Sequence, residues 1–143
     1  MSDFSKSRIS GHDNWRTPSY VIEGLDEEFH FTRTPEGKIF DPTPCPRPEG
    51  FDGLTIEWAE RTYFNPPYSK PTPWVKKAFE ESQKGKTIVG VLRGDTSTAW
   101  FHDWVLGKAE VRFVRGRLKF NDTKPAPFPS IIAIWRGPKE ASE

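Results

Sequence analysis

A near-continuous apolar segment, TIVGVLRG at residues 87–94, restricts the fold of this 143-residue chain more than any other feature. A run of this kind is typical of a strand that is buried on both faces, as in the sheet of an α/β protein. It follows a β-prone segment at 61–64 and a helical pattern at 73–85. This alternation of strand, helix and strand predicts an α/β fold built on a mostly parallel sheet.

The first third of the chain combines one helical pattern with a proline-rich segment. Apolar residues recur at helical spacing over 17–29, and the pattern predicts Thr17 as the N-cap and Pro18 as the first helical residue. Five prolines between residues 31 and 51 exclude a helix there and leave at most a short strand at 38–41. We therefore expect most of this region to be a stiff loop.

The last third of the chain predicts a short helix and two strands. The helix covers about 97–106, and the strands are VRFVRGRLKF at 111–120 and SIIAIWRG at 130–137. Two strands in succession favour an antiparallel end to the sheet. The predicted order of elements is α, β, β, α, β, α, β, β.

The length of the chain fits one domain. Residues 1–13 are polar and lack periodicity, which predicts a flexible N-terminal arm. The predicted domain covers residues 14–137, and residues 138–143 are expected to form a disordered C-terminal tail.

Composition excludes several classes of protein. The formal net charge is +1, from 21 basic and 20 acidic side chains, so charge neither favours nor excludes a nucleic-acid partner. Cys45 is the only cysteine, which rules out an intramolecular disulfide and a thiol-based zinc site, and no metal is expected. No apolar run approaches the ~20 residues that cross a membrane. A cytoplasmic protein is the expectation.

The tetrapeptide Asn65-Pro66-Pro67-Tyr68 is the most informative motif in the sequence. It follows the predicted strand at 61–64 directly and precedes the helical pattern at 73–85. This placement puts it at the carboxyl edge of the sheet, where α/β proteins usually bind ligands. The turn is therefore the first candidate for a functional site.

The residue types of this turn suit the methylation of an exocyclic amine. When the NH2 group donates hydrogen bonds, its nitrogen lone pair is freed from ring conjugation and can attack a methyl group. The side-chain carbonyl of Asn65 and the backbone carbonyl of Pro66 provide two acceptors, and proline has no N–H to compete. Tyr68 offers a flat face to an extruded base, a contact worth about 1–3 kcal/mol. A flipped purine fits best. The alternative is a plain proline-rich turn, or a polyproline ligand for an interaction module.

Residues 14–136 contain the motifs WRTP, FDP, CP followed by FDGL and a tryptophan, FNPPYS, PWVKKA, DTSTAWFHDW, RGRLKF and APFPS. With this set of motifs the chain resembles the small phage-type DNA N-6-adenine methyltransferases. The resemblance implies a reduced Rossmann-like domain that uses S-adenosylmethionine as the methyl donor. It also implies direct transfer of the methyl group to adenine N6 in DNA. Asn65, Pro66, Pro67 and Tyr68 would then be the catalytic residues.

The resemblance also implies a set of cofactor-binding residues. Thr17 and Pro18 match a threonine-proline pair that lies against the methionine part of the cofactor, although Thr17 also fits a helix cap. Asp41, followed by Pro42, matches an acidic residue near the cofactor's amino acid moiety, although an Asx turn is an alternative. Asp52 matches an acid that meets the adenine of the cofactor, and Asp52 equally fits a simple turn.

The chain departs from the wider superfamily in its first half. The glycine-rich loop that normally follows the first strand is replaced by FDPTPCPRP at 40–48. About ten residues separate Asp41 from Asp52, so the helix and strand that normally intervene are missing. A catalytically silent nucleic-acid binder is therefore one alternative to an enzyme.

Further residues are predicted to bind the substrate. Asp95, Thr96 and Ser97 follow the buried strand, which would place them beside the tetrapeptide if the two strands are parallel neighbours. The alternative is that Asp95 and Ser97 only cap the next helix. A second set alternates with apolar positions in the strand predicted at 111–120, where it would face phosphates or form a solvated surface. It consists of Arg115, Arg117 and Lys119.

Double-stranded DNA is the expected partner. The same turn would also serve cytosine N4, RNA adenine or a protein amide, because each presents a planar NH2 group. Sequence recognition would come from the N-terminal arm, from the surface between the subunits of a homodimer, or from another partner.

Overall fold

A computed structural model of the protein describes residues 16–119 and 125–138. The predicted arm at 1–13 and residues 139–143 of the predicted tail lie outside them. In chain order the elements are α1 (Ser19–Phe29), β1 (Arg61–Phe64), α2 (Thr72–Ser82), β2 (Thr87–Arg93), α3 (Ala99–Trp104), β3 (Glu110–Phe113) and β4 (Ser130–Arg136), with a short 3-10 turn at Gly53–Thr55 before β1.

The four strands form one mixed sheet in the order β1-β2-β4-β3. β1 and β2 pair in parallel, from Arg61 opposite Thr87 to Phe64 opposite Gly90. β4 is antiparallel to both of its neighbours, β2 and β3. The α/β class and the antiparallel C-terminal strands are confirmed, but the sheet is mixed and not mostly parallel as predicted. β3 runs in the same direction as β1 and β2, yet β4 lies between β2 and β3, so two of the three ladders are antiparallel.

Both faces of the sheet are covered, as the apolar run in β2 predicts. Ile88 and Leu92 belong to a cluster with α2 and α3 on one face. Val89 and Val91 belong to a cluster with α1 on the other face. Gly90 leaves room for the Phe64 ring, because a Cβ atom there would lie 2.6 Å from Phe64 Cε1. Alternate side chains of one strand thus enter both halves of the core.

Several predicted elements differ in the structure. Instead of a strand at 38–41, a single bridge joins Arg33 to Ile39, because the following prolines cannot continue a ladder. The strand predicted at 111–120 ends at Phe113. The helix predicted at 97–106 spans Ala99–Trp104. A reduced Rossmann-like arrangement stays a prediction, since four strands with one parallel pair do not establish it.

Candidate active site

The tetrapeptide begins immediately after β1, at the carboxyl edge of the parallel pair. Beside it lies a small depression that is open to solvent. The turn lines it with Pro66 and Tyr68, and β2 and the segment after it contribute Arg93, Asp95 and Trp100. The structure therefore brings the turn and the segment after β2 together, as expected for parallel neighbours.

Tyr68 fixes the side chain of Asn65. Its hydroxyl donates a hydrogen bond to Asn65 Oδ1 over 3.1 Å. Its ring meets the edge of Phe128 with the ring centroids 4.9 Å apart. Burial raises the pKa of Tyr68 well above its usual range, so the phenol stays a donor at neutral pH. A carbonyl oxygen has two lone pairs, so such an oxygen has the capacity to accept two hydrogen bonds.

Thr43 connects the turn to Asp41. The backbone N–H of Asn65 donates to Thr43 Oγ1 over 2.8 Å. The hydroxyl and the backbone N–H of Thr43 both donate to Asp41 Oδ1, each over 2.7 Å. Asp41 thus forms the Asx turn that was its alternative interpretation. The same bonds also hold its carboxylate in a fixed position relative to Asn65.

The half-buried carboxyl group of Asp41 has an unusually high pKa. Burial raises its pKa from the ordinary 3.8 to about 6, although the two hydrogen bonds from Thr43 act in the opposite direction. Oδ2 of Asp41 accepts no hydrogen bond from any residue in 16–119 or 125–138. A positively charged ligand group at Oδ2 would stabilise the ionised form.

Thr17 lies at the same edge but does not cap a helix. Pro18 occupies the N-cap of α1, without a side-chain hydrogen bond. The buried hydroxyl of Thr17 instead shares a hydrogen bond with the phenol of Tyr63. Burial raises the pKa of Tyr63, and the negative charge of Asp41 raises it further, which places these groups in one electrostatic environment. The predicted cap is wrong because this buried partner binds the hydroxyl.

The turn that contains Asp52 packs on Pro42 through the next residue, Gly53. Asp52 is exposed and accepts a hydrogen bond from the N–H of Leu54 over 3.0 Å, as the simple-turn interpretation predicts. Gly53 packs so closely on Pro42 that a Cβ atom would lie 2.0 Å from the Pro42 carbonyl oxygen. This contact, together with a 2.8 Å bond from Trp58 Nε1 to the Gly53 carbonyl, holds the Asp52 turn against the loop of Asp41.

The residues predicted after β2 divide into two groups. Asp95 lines the depression, whereas Thr96 and Ser97 are exposed and are not part of its lining. The N-cap of α3 is Thr98, so the alternative in which Asp95 or Ser97 caps that helix is wrong. The backbone carbonyl of Asp95 accepts bonds from Thr98 instead.

The three predicted cations do not share a strand. β3 ends at Phe113, so Arg115, Arg117 and Lys119 lie in the irregular segment after it, and all three are exposed. Arg117 Nη1 donates to the carbonyl of Ala126 over 3.3 Å. The alternation assigned to a strand is therefore wrong, and contact with phosphates stays a prediction.

Comparison with known proteins identifies the family. The sequence profile described as DNA N-6-adenine-methyltransferase (Dam) matches residues 4–140. The DNA N-6-adenine-methyltransferase of Haemophilus phage HP1 is 31% identical over 127 residues, which cover 80% of this chain and 69% of that protein. The protein of the same description from Escherichia phage T1 is 37% identical over 118 residues, which cover 74% of this chain and 46% of that protein.

This chain belongs to the DNA N-6-adenine-methyltransferase (Dam) family. The family predicted from the motifs is confirmed, and the predicted class of enzyme agrees with the description of the family and of both phage relatives. No solved structure matches the chain significantly. The chain spans about half the length of the Escherichia phage T1 protein.

Three residues that the structure places at this site of the Dam-family chain were not predicted from the sequence: Thr43, Tyr63 and Arg93. Thr43 accepts a hydrogen bond from the backbone of Asn65, 22 positions away, and Tyr63 shares one with Thr17, 46 positions away. Only the Asx turn between Thr43 and Asp41 is local in sequence. Arg93 is the last residue of the apolar strand β2, so the sequence around it indicates only where the strand ends. Within residues 16–119 and 125–138, no three His, Cys, Asp or Glu side chains cluster as metal ligands, and no helix is long and apolar enough to span a bilayer.

Proposed function

We propose that the chain transfers a methyl group from S-adenosylmethionine to N6 of an adenine extruded from double-stranded DNA. The observation that carries this proposal is the Asn65 carbonyl, held by Tyr68 beside an open depression. The family descriptions favour adenine N6 in DNA over cytosine N4, RNA adenine or a protein amide.

The residues near Asp41 fit the proposed cofactor. The amino acid part of S-adenosylmethionine carries an ammonium group, and Asp41 Oδ2 offers a fixed carboxylate oxygen for it. Thr17, Pro18 and Pro42 are buried around the same edge. Asp52 would accept a hydrogen bond from the amino group of the cofactor's adenine. When bound, the cofactor supplies an activated methyl group on its sulfonium.

The chain's own residues position the target amine. N6 would donate one hydrogen bond to Asn65 Oδ1 and one to the carbonyl of Pro66, which aims its lone pair out of the base plane. Pro67 keeps the turn rigid. Tyr68 would lie against the base, and the depression would receive it with Asp95 at its wall. Such orientation can lower the barrier by about 7–11 kcal/mol. Transfer would be a direct displacement, in which the bond from N6 to the methyl carbon forms as the bond from that carbon to the sulfonium sulfur breaks. The thioether product would then leave, and the methylated amine would lose its extra proton to solvent.

Contacts outside the turn belong to the same proposal. Arg115, Arg117 and Lys119 would meet the phosphate backbone, while Thr96 and Ser97 would contact DNA beside the extruded base. Choice of a DNA sequence would come from the N-terminal arm or from the surface of a homodimer.

The test is transfer of tritiated methyl from S-adenosylmethionine to unmethylated duplex DNA, RNA and a glutamine-containing peptide, with nucleoside analysis of the DNA product. We expect N6-methyladenine from DNA and much weaker labelling of the other two. Asn65→Ala should abolish the product. Gln83→Ala, a loss of an exposed amide at the end of α2, should not. Labelling of cytosine N4 or of the peptide would contradict the proposed target, and the absence of all labelling would favour a silent binder.

A further inference from the structure

Arg93 lies at the last position of β2 and lines the depression beside the tetrapeptide, yet the proposed transfer leaves it without a role. It shares this wall with Asp95, Trp100 and Tyr68. Among the residues that the structure describes, it is the one cation in the lining of this depression.

The guanidinium of Arg93 is held in place by an aromatic ring and a carboxylate. Its Cζ lies 4.7 Å from the centre of the Phe128 ring. Its Nε is buried and forms an ion pair with Asp95 Oδ2 at 3.0 Å, while the side chain as a whole is 38% exposed and lines the depression. A guanidinium carries five N–H donors in a planar fork, so its outer nitrogens can bind an acceptor that a ligand brings into the depression.

The surroundings of Arg93 favour a neutral planar acceptor over a phosphate. Asp95 offsets the positive charge of the guanidinium at 3.0 Å and would repel a second anion. The walls formed by Tyr68, Trp100 and Pro66 are suited to the face or edge of an aromatic ring. The ring nitrogens of adenine are neutral acceptors of this kind.

We propose that Arg93 donates a hydrogen bond to a ring nitrogen of the extruded adenine. This inference rests on the proposed function and adds a third hydrogen bond to the base, in addition to the two bonds from its amine. Three groups around the ring fix its rotation within its own plane. Asp95 acts through Arg93 by holding the guanidinium, and Arg93 becomes a residue that determines specificity.

The experiment pairs variants of Arg93 with altered adenines. The sequence that the full chain methylates is first mapped, and duplexes are then made with 1-deaza-, 3-deaza- or 7-deazaadenine at the target position. Each analogue removes one ring nitrogen. The value of kcat/KM is measured for the wild type, Arg93→Gln, Arg93→Lys and the control Arg33→Gln. Arg33 is an exposed cation that pairs with Asp26 of α1. Arg33→Gln therefore removes one positive charge, as Arg93→Gln does.

We expect Arg93→Gln to lower kcat/KM for the normal duplex by about 10- to 100-fold. The wild type should lose a similar factor on one of the three analogues. On that analogue Arg93→Gln should lose no more than about twofold further, because the contact is already missing. Arg33→Gln should match the wild type on every duplex. Thermal unfolding shows whether Arg93→Gln is folded, and Arg93→Lys, which keeps the charge without the planar fork, carries the comparison if it is not.

Three results would overturn the contact with the base. The first is that Arg93→Gln acts like the wild type, and the second is that its loss multiplies with that of all three analogues. The third is that its loss shrinks steeply as salt rises, which indicates a phosphate contact. Each of these results leaves N6 methylation by the wild type intact. Failure of the wild type to methylate any DNA would instead overturn the proposed function, and the Arg93 contact with it.

Discussion

Replacing Asp41 by asparagine should stabilise the protein without a ligand while it weakens cofactor binding. Burial raises the pKa of Asp41 from 3.8 to about 6, so the ionised carboxylate costs the folded state free energy. This difference in pKa corresponds to about 3 kcal/mol. Because the carboxyl group is only half-buried, we expect a stabilisation of about 1–3 kcal/mol at pH 8.

The pH dependence gives this prediction its sign. Well below pH 3.8 the carboxyl group is protonated in both the folded and the unfolded chain, so it costs nothing. Between about pH 4 and pH 6 only the folded chain keeps the proton, so the stability of the wild type falls as pH rises through this window. Above it the full cost is present. The neutral amide of Asp41→Asn carries no such cost, so the variant should gain stability relative to the wild type only at the higher pH.

Urea unfolding at pH 4 and pH 8, with calorimetry of S-adenosylmethionine binding at pH 8, measures both effects. We expect equal stabilities at pH 4, a more stable Asp41→Asn at pH 8, and cofactor binding weakened by at least tenfold. An equal gain at both pH values, or a loss at pH 8, would refute the assigned cost of the carboxylate. Unchanged cofactor affinity would refute its role as the partner of the ammonium group.

Three further variants test the site and the core. Thr43→Val removes the hydroxyl between Asp41 and Asn65, so kcat should fall by about 10- to 100-fold while Thr43→Ser retains most activity; equal rates would contradict the link. Tyr68→Phe keeps the ring but loses the bond to Asn65, and a loss of kcat of about 3- to 30-fold is expected in single-turnover assays, against no loss if the hydroxyl is idle. Gly90→Ala places a methyl group against Phe64 and should lower the free energy of unfolding by about 1–3 kcal/mol, and unchanged thermal stability would contradict this packing.

The strands and helices of the parallel unit could be predicted because local signals define them. The apolar run of β2 and the prolines and glycine around α2 mark their limits along the chain. The sheet order could not be predicted in this way. It depends on β4 entering between β2 and β3, a pairing of distant segments that leaves no local signal.

The residues of the candidate site likewise divide into those with a local sequence signal and those that depend on contacts between distant segments. The tetrapeptide at Asn65 could be predicted, since residue types and position in the chain both indicate chemistry. The link through Thr43 could not, because two irregular segments meet there and their contacts follow no period. The place of Arg93 at the depression could not be predicted for another reason. A charged residue at the end of an apolar strand normally marks only the return to solvent.

The most direct test of how the turn acts is a comparison of binding and transfer in Asn65→Ala. Calorimetry measures the affinity for S-adenosylmethionine, and single-turnover kinetics measure N6-methyladenine formed on duplex DNA. Because Asn65 is proposed to hold the target amine and not the cofactor, we expect an affinity within about threefold of the wild type and a rate at least about a hundredfold lower. If the variant transfers methyl groups at the wild-type rate, or if its only defect is in cofactor affinity, Asn65 does not hold the amine.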